Sequence, residues 1–365
     1  MKLQRIAAAI AVAACLAWNM LAQAPRDPLA PRSTGEHAPI RPLHTVTICT
    51  ADAGAALRFY RDALGMRARG PLPVRSEERS VRRKLWGIPE DLGWEMYLLD
   101  RPAVPEAIRI RVLALDRETP LVRNSWNPKQ PGGFSLGFPT LDLHTWDREI
   151  RARGYDSLNP LAEYQVPRAD GTLYGIHETV FKGPDFVHAV GISRRDGMPQ
   201  LGPVDPHSGR GGPAYSGQVV ENSDAVLDFY TRLLGLELRS DREWKSQGTK
   251  GALNVPDGST FRFSIVYAPG ASTGHLLFLD FREPASLSTA VPPRPPHRGL
   301  VMWSFPVRDA AAMEKSLRAA GANIVAGPVE HAAADLGRHR ALTVLAPNGF
   351  LVELFDGGPG KPFGP

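Results

Sequence analysis

The sequence predicts an α+β fold: four βαβββ units that pair into two curled sheets, each a cup with helices outside. Three observations predict it. First, Asp52 to Gly65 (DAGAALRFYRDALG) and Asp224 to Gly235 (DAVLDFYTRLLG) repeat one another, so that Phe59-Tyr60 recur as Phe229-Tyr230 and Leu64-Gly65 as Leu234-Gly235, 170 residues on. Second, Phe138-Pro139-Thr140-Leu141-Asp142 recurs as Phe305-Pro306-Val307-Arg308-Asp309, and Gly154 as Gly321, both 167 residues on. Third, all four segments follow one grammar: an apolar strand, a capped helix ending at glycine, then further strands. One helix covers only one face of such a sheet. Two units side by side can close the other face into a cup, which leads to the expectation of two cups, one per half.

The chain opens with Lys2 and Arg5 before an apolar run from Ile6 to Trp18, and Ala22-Gln23-Ala24 has the small-x-small pattern of a cleavage site, so residues 1–24 read as an export signal. The run is too short and interrupted to span a membrane, and no transmembrane span is expected in the mature chain. Val12-Ala13-Ala14-Cys15 also resembles a lipobox, while Pro25 would follow the cut after Ala24. Two forms therefore stay open: a free exported protein, periplasmic or otherwise extracytoplasmic, and one lipid-anchored at Cys15. In either form Cys49 is the one cysteine left, so the mature chain has no internal disulfide and must rely on its core.

Residues 25–42 are a Pro- and Arg-rich leader. The first domain is expected over 43–192, with units at 43–116 and 133–192; a linker follows over 193–213; the second domain covers 214–356, with units at 214–283 and 299–356; 357–365 are a tail. In the first unit His44 to Thr50 is a strand, Asp52 caps a helix whose Ala56, Phe59, Tyr60, Ala63 and Leu64 share one face, and Gly65 stops it. A basic insertion, Arg75 to Lys84, reads as helical, and Trp94 to Leu99 and Ile108 to Leu115 as strands. The third unit repeats this with Ser216 to Val220, a helix from Asp224 to Leu234, then Thr260 to Tyr267 and Gly274 to Phe281. In the second and fourth units, Phe134 to Phe138 and Val301 to Phe305 are strands, Asp142 and Asp309 are helix caps, and Gly154 and Gly321 are stops. Pro347-Asn348-Gly349 marks a tight closing turn.

Composition excludes several classes. At 365 residues with 22% charged and 43% hydrophobic residues, the chain is an ordinary globular one of about two domains. Its net charge is +5, but the basic residues are interleaved with acids, as in Arg75-Ser76-Glu77-Glu78-Arg79, and form no stripe, so no nucleic-acid partner is expected. Gly133-Phe134-Ser135-Leu136-Gly137 matches a hydrolase nucleophile elbow in letters only, since Phe138-Pro139 follows where that motif needs a helix. Cys49 reads as a small buried hydrophobe.

A strand opening with His, a helix carrying Phe-Tyr and ending in Leu-Gly, and the hairpin Ala346-Pro347-Asn348-Gly349-Phe350-Leu351-Val352-Glu353-Leu354 together resemble the vicinal oxygen chelate superfamily. This group includes glyoxalase I, bleomycin-resistance proteins and extradiol dioxygenases, and the resemblance covers residues 43 to 356. It implies the glyoxalase/bleomycin resistance/dihydroxybiphenyl dioxygenase-like fold, a small oxygen-rich or aromatic substrate, and a divalent metal, Fe, Mn, Ni or Zn, held by inward-facing imidazoles and carboxylates. Metal-assisted lyase, isomerase or dioxygenase chemistry would follow. Carried over by position, His44 and Glu353 are the metal-ligand candidates, and Glu353 faces away from its apolar neighbours Val352 and Leu354. Other ligand places hold Tyr215 and Trp303, which would line an aromatic pocket, and His188 and His275 are further pocket candidates. This thin ligand set keeps a second class open, a metal-free protein that binds or sequesters a small molecule, and a third, a non-catalytic scaffold. His177 and His339 occupy matching Gly-x-His positions, where a shared structural hydrogen bond is expected.

Overall fold

The computed structural model describes residues 29–168, 170–281, 288–289 and 291–357. The export signal 1–24, Cys15 and the tail beyond residue 357 lie outside them. Among the described residues, no helix is long and apolar enough to cross a membrane.

Unit one comprises β1 (Thr45–Thr50), α1 (Ala53–Leu57, continuing as a π turn over Arg58–Ala63), β2 (Arg67–Arg69), α2 (Ser76–Trp86), β3 (Trp94–Asp100) and β4 (Arg109–Leu115). Unit two comprises β5 (Gly132–Pro139), α3 (Leu143–Ala152), β6 (Ala162–Pro167), β7 (Leu173–Lys182) and β8 (His188–Arg194). Unit three has β9 (Tyr215–Val219), α4 (Ser223–Asp228, with a π turn over Phe229–Leu233), β10 (Glu237–Lys245), β11 (Thr260–Tyr267) and β12 (His275–Asp280). Unit four has β13 (Gly299–Pro306), α5 (Ala310–Ala319), β14 (Asn323–Ala333), β15 (Gly337–Leu345) and β16 (Leu351–Gly357).

Local chemistry sets the helix boundaries. Asp52, Asp142 and Asp309 each accept a backbone N–H of the first turn, which satisfies donors that a helix start leaves orphaned. In unit three this role falls to Asn222, which accepts from the amide of Ala225, and Asp224 lies inside the first turn. Gly65 and Gly235 follow α1 and α4 with positive φ, the left-handed stop that glycine adopts without strain. The two π turns carry the repeated Phe-Tyr pairs, so the duplication extends to a helix irregularity.

The strands form two eight-stranded sheets, in the orders β14-β15-β16-β13-β1-β4-β3-β2 and β10-β11-β12-β9-β5-β8-β7-β6. The expectation of one cup per half is therefore corrected: unit one pairs with unit four, and unit two with unit three. Antiparallel pairing of β1 with β13 and of β5 with β9 makes the two seams. Buried charge accounts for the choice. Unit one buries Arg82 and Arg111, unit four buries Asp335 and Glu353, and this pairing brings Arg82 to Asp335 and Arg111 to both carboxylates. At the other seam, a Cβ on Gly137 would stand 1.8 Å from the Tyr215 ring, so unit three fills space that unit two leaves vacant.

The helix-bearing faces of both sheets meet in one apolar core that includes Phe59, Tyr60, Trp146, Tyr230, Trp303 and Leu317. The opposite, concave faces are the cups.

Candidate functional site

In each cup the first and last strands of a unit lie side by side, so register identifies the four positions that converge at its centre. In the cup of units one and four, Thr47 is paired with Arg111 and Ser304 with Glu353. Thr47, three residues beyond His44, therefore holds the first-strand place. The guanidinium of Arg111 occupies the centre. Its Nη1 donates to Thr47 Oγ1 (3.2 Å), Ser304 Oγ (3.4 Å) and Glu353 Oε2 (3.2 Å), and its Nε donates to Asp335 Oδ2 (2.7 Å). Glu353 also accepts from Ser304 Oγ at 2.7 Å and from Trp86 Nε1 at 2.8 Å. Arg82 pairs with Asp335, and its Nε lies 2.8 Å from Glu78 Oε1.

This network rides on α2, the basic insertion, which lies in the cup with Leu85 and Trp86 packed among Met96, Leu113, Val301 and Leu351. Thr343 Oγ1 donates to the carbonyl of Leu85 at 2.6 Å, tying down the last turn, and Gly87 closes the helix at φ 67°. Burial alone would raise the carboxyl of Glu353, but Arg111 and then Arg82 outweigh it and bring it down to about 2. Burial likewise opposes the charge on Asp335, and the same two arginines hold that carboxyl far below its usual range. His44 stands at the edge, its ring 5.5 Å from Phe355 and its Nδ1 2.8 Å from Thr45 Oγ1. Burial, then Arg109 and Arg111, lower its pKa to about 4. His44 and Glu353 thus share a cup, as a pairing of units one and four requires. The donor set there does not fit a metal, because a protein cation and two neutral donors already satisfy both oxygens of Glu353.

In the cup of units two and three, Gly137 is paired with Val190 and Gly217 with Leu277. None of these four offers a side-chain ligand, so the residues at this centre do not fit a metal either. What they leave is space. A cavity of about 210 Å³ is lined by aromatic residues including Phe134, Tyr164, Tyr174, Tyr215, Trp244 and Phe263, with Glu178, Arg194, Arg242 and His275 as polar groups. The segment equivalent to α2 is here a short 3-10 turn, Gly248–Lys250, followed by a loop through Asn254 that borders the cavity. The hydroxyl of Tyr164 donates to Glu178, whose carboxyl is raised by burial against the opposing effect of that bond. His275 is stacked on Tyr267 at 4.4 Å and lies 5.1 Å from the Tyr215 ring.

Of the four residues read as pocket-lining, Tyr215 and His275 line this cavity. His188 does not. It points to the cup side of β8, but Trp126 (5.3 Å) and Phe134 (4.5 Å) enclose its ring, and Nδ1 meets the carbonyl of Phe134 at 3.2 Å. Burial, then Arg123, keep its pKa well below the ordinary value. Trp303 is a correction too: strand alternation aims its neighbour Ser304 into the cup and Trp303 into the core, where its Nε1 donates to Ser216 Oγ at 2.8 Å and its ring packs on Tyr230 and Phe350. By sequence position the closing-strand place of the first unit falls on Arg109 or Arg111, and strand register assigns it to Arg111. Sequence reasoning missed a cluster with metal-ligating geometry on the convex face of the second sheet, formed by His144, Glu163 and His177. His177 therefore has a neighbourhood of its own, while the His339 ring lies tilted 4.3 Å from that of His331 and its Nδ1 lies 3.0 Å from the Gly337 carbonyl.

Residues 213–354 match the family model described as the Glyoxalase/Bleomycin resistance protein/Dioxygenase superfamily. No curated protein sequence matches the chain at a significant level. Among solved structures, glyoxalase I from Zea mays is 14% identical, with a TM-score of 0.52 over 88% of this chain and 94% of that one. A point mutant of the same enzyme gives 15% identity and 0.54 over 88% and 95%. A provisionally assigned dioxygenase from Bacillus subtilis is 13% identical, with a TM-score of 0.53 over 89% and 87%. At such identities the likeness is one of fold, and it runs through both sheets. The whole chain thus has the fold of these structures, four βαβββ units in two curled sheets, and its residues 213–354 match the model of the Glyoxalase/Bleomycin resistance protein/Dioxygenase superfamily.

Proposed function

We propose that the protein binds a compact aromatic molecule in the cup of units two and three, by shape, stacking and hydrogen bonds and without a metal at the centre of that cup. The observation that carries this reading is the contrast between an aromatic-walled cavity and the four central positions Gly137, Val190, Gly217 and Leu277, none of which can coordinate. Size narrows the ligand. A cavity of ~150 Å³ accommodates benzene, so about 210 Å³ suits a molecule of one or two rings. The flat faces of Tyr215 and Trp244 favour offset stacking, and the Tyr164–Glu178 pair and Arg242 offer partners for an oxygen-bearing edge. The charged leader and apolar run of the first 24 residues support the further reading that this binder is exported, free or anchored through Cys15.

The test is a titration of the full chain with benzoate, 1-naphthol and 2-naphthoate, followed by tryptophan fluorescence with and without prior chelator treatment. Saturable binding that chelator leaves unchanged, and that Leu277→Trp removes while the melting temperature holds, is the expected result. Binding that disappears with chelator, or that survives Leu277→Trp, would sink the reading.

A further inference from the structure

We propose that His144, Glu163 and His177 form a transition-metal site of the zinc type on the convex face of the second sheet, with an open position for a fourth ligand. The fold brings these three together from separate elements. Glu163 on β6 and His177 on β7 are directly opposed in the antiparallel ladder, so their side chains share a face. His144 is the second residue of α3, which Asp142 starts by capping the amide of Thr145 at 3.0 Å. Strand alternation separates this face from the cavity, since Tyr164 and the flanking Ile176 and Glu178 line it from the other side.

The ligand atoms converge as coordination requires. His144 Nε2 lies 3.1 Å from Glu163 Oε1, His177 Nε2 lies 3.9 Å from Glu163 Oε2, and one ligand atom from each residue falls within 4.8 Å of the other two. Bonds of 2.0–2.1 Å in a tetrahedron put ligand atoms ~3.3 Å apart, so small side-chain rotations close the trio around an ion. The plainer alternative, a carboxylate hydrogen-bonded by both histidines, accounts for His144 but not for His177, whose separation is too long for a hydrogen bond. Two imidazoles and one carboxylate suit Zn²⁺ or its first-row neighbours, whereas Mg²⁺ and Ca²⁺ prefer all-oxygen shells. His144 and Glu163 are exposed, so water or an external ligand can reach the fourth position. A bound ion would clamp α3 to the β6–β7 hairpin, the wall that carries Tyr164 and Glu178 on its inner face.

The experiment uses the full chain, freed of metal by chelator, titrated with Zn²⁺ by calorimetry and with Co²⁺ by visible absorption. Wild type is expected to bind one Zn²⁺ with micromolar or tighter affinity and to give a tetrahedral Co²⁺ spectrum. His144→Ala, Glu163→Gln and His177→Ala should each weaken binding at least tenfold without lowering the melting temperature of the metal-free protein. The double variant His331→Ala/His339→Ala, which removes another pair of neighbouring histidines, should bind like wild type. Failure of wild type to bind, unchanged affinity in the three single variants, or loss confined to the double variant would each overturn the proposal.

Discussion

The two cups of this molecule share an architecture and have opposite interiors. In the cup of units one and four, an eleven-residue helix fills the concavity and its centre is a guanidinium bonded to four side chains. In the cup of units two and three, the equivalent segment is a turn and loop, the central positions are two glycines and two aliphatic residues, and a cavity remains. The comparison shows how a duplicated fold divides its labour. A concave sheet face is either filled by protein or left as a cavity, and one copy has taken each course. The filled cup rests on long-range charge matching: α2 brings Arg82 and Glu78, the turn between β14 and β15 supplies Asp335, and the sheet supplies the Arg111–Glu353 pair.

The comparison breaks most visibly at Arg111. Arg111→Met leaves Asp335 and Glu353 buried without that cation and should cost about 3–5 kcal/mol in urea unfolding. A loss below about 1 kcal/mol would mean that the network does not hold the first cup shut. Trp86→Phe removes the N–H that Glu353 accepts in the same closed interior, with an expected cost of about 1.5–3 kcal/mol. Neither change should alter aromatic binding in the other cup, and a shift in that affinity beyond a factor of two would show that the cups are coupled.

Acid should destabilise the fold through its buried and half-buried histidines, with two of them, His44 and His331, at the closed cup. His44 and His331 have folded-state pKa values lowered to about 4, by burial foremost and then by Arg109 and Arg111 for His44 and by His339 and Arg82 for His331. The unfolded chain therefore binds more protons than the folded one between about pH 6.5 and 4, and stability falls as pH drops through that window. Glu353, depressed to about 2, adds a further loss as pH falls from about 4.5 towards 2. Melting temperatures across this range should slope downward with acid, and the His44→Gln/His331→Gln pair should flatten the upper part; an unchanged slope would exclude these groups as its source. The smallest effect concerns Cys49, whose burial on the cup side of β1 raises its thiol far above the ordinary range. It should resist thiol reagents until the sheet unfolds, and rapid labelling of native protein would contradict the closed interior.

Local features were legible in the sequence because their causes are local. Asp52, Asp142 and Asp309 cap their helices as read, the helix expected over Arg75 to Lys84 runs from Ser76 to Trp86, and Glu353 turns inward from Val352 and Leu354. The unit pairing was not legible, since a repeat offset reports which segments are copies, and copies need not be neighbours. The error at His44 arose from register: the strand begins at Thr45, and the position facing the closing strand is set by pairing that only coordinates reveal. Arg82 and Arg83 sit in what reads only as a basic insertion, and Arg82's partner Asp335 is 253 residues away. His144, Glu163 and His177 were invisible for the same reason, because one comes from a helix and two from opposed strands.

The nesting of the units, with two and three inside one and four, has a consequence for the order of assembly. As the polypeptide emerges from the ribosome, the inner pair can close once residue 280 is out, but the outer pair lacks half its sheet until the last strand, ending at Gly357, is made. Unit one must wait through most of synthesis without Asp335 and Glu353, the carboxylates that meet Arg111, a separation of the kind that slows folding. A nascent chain stalled inside unit four would thus display a finished inner sheet beside an orphaned, exposed outer one, a natural mark by which quality control could tell the incomplete product from the complete one.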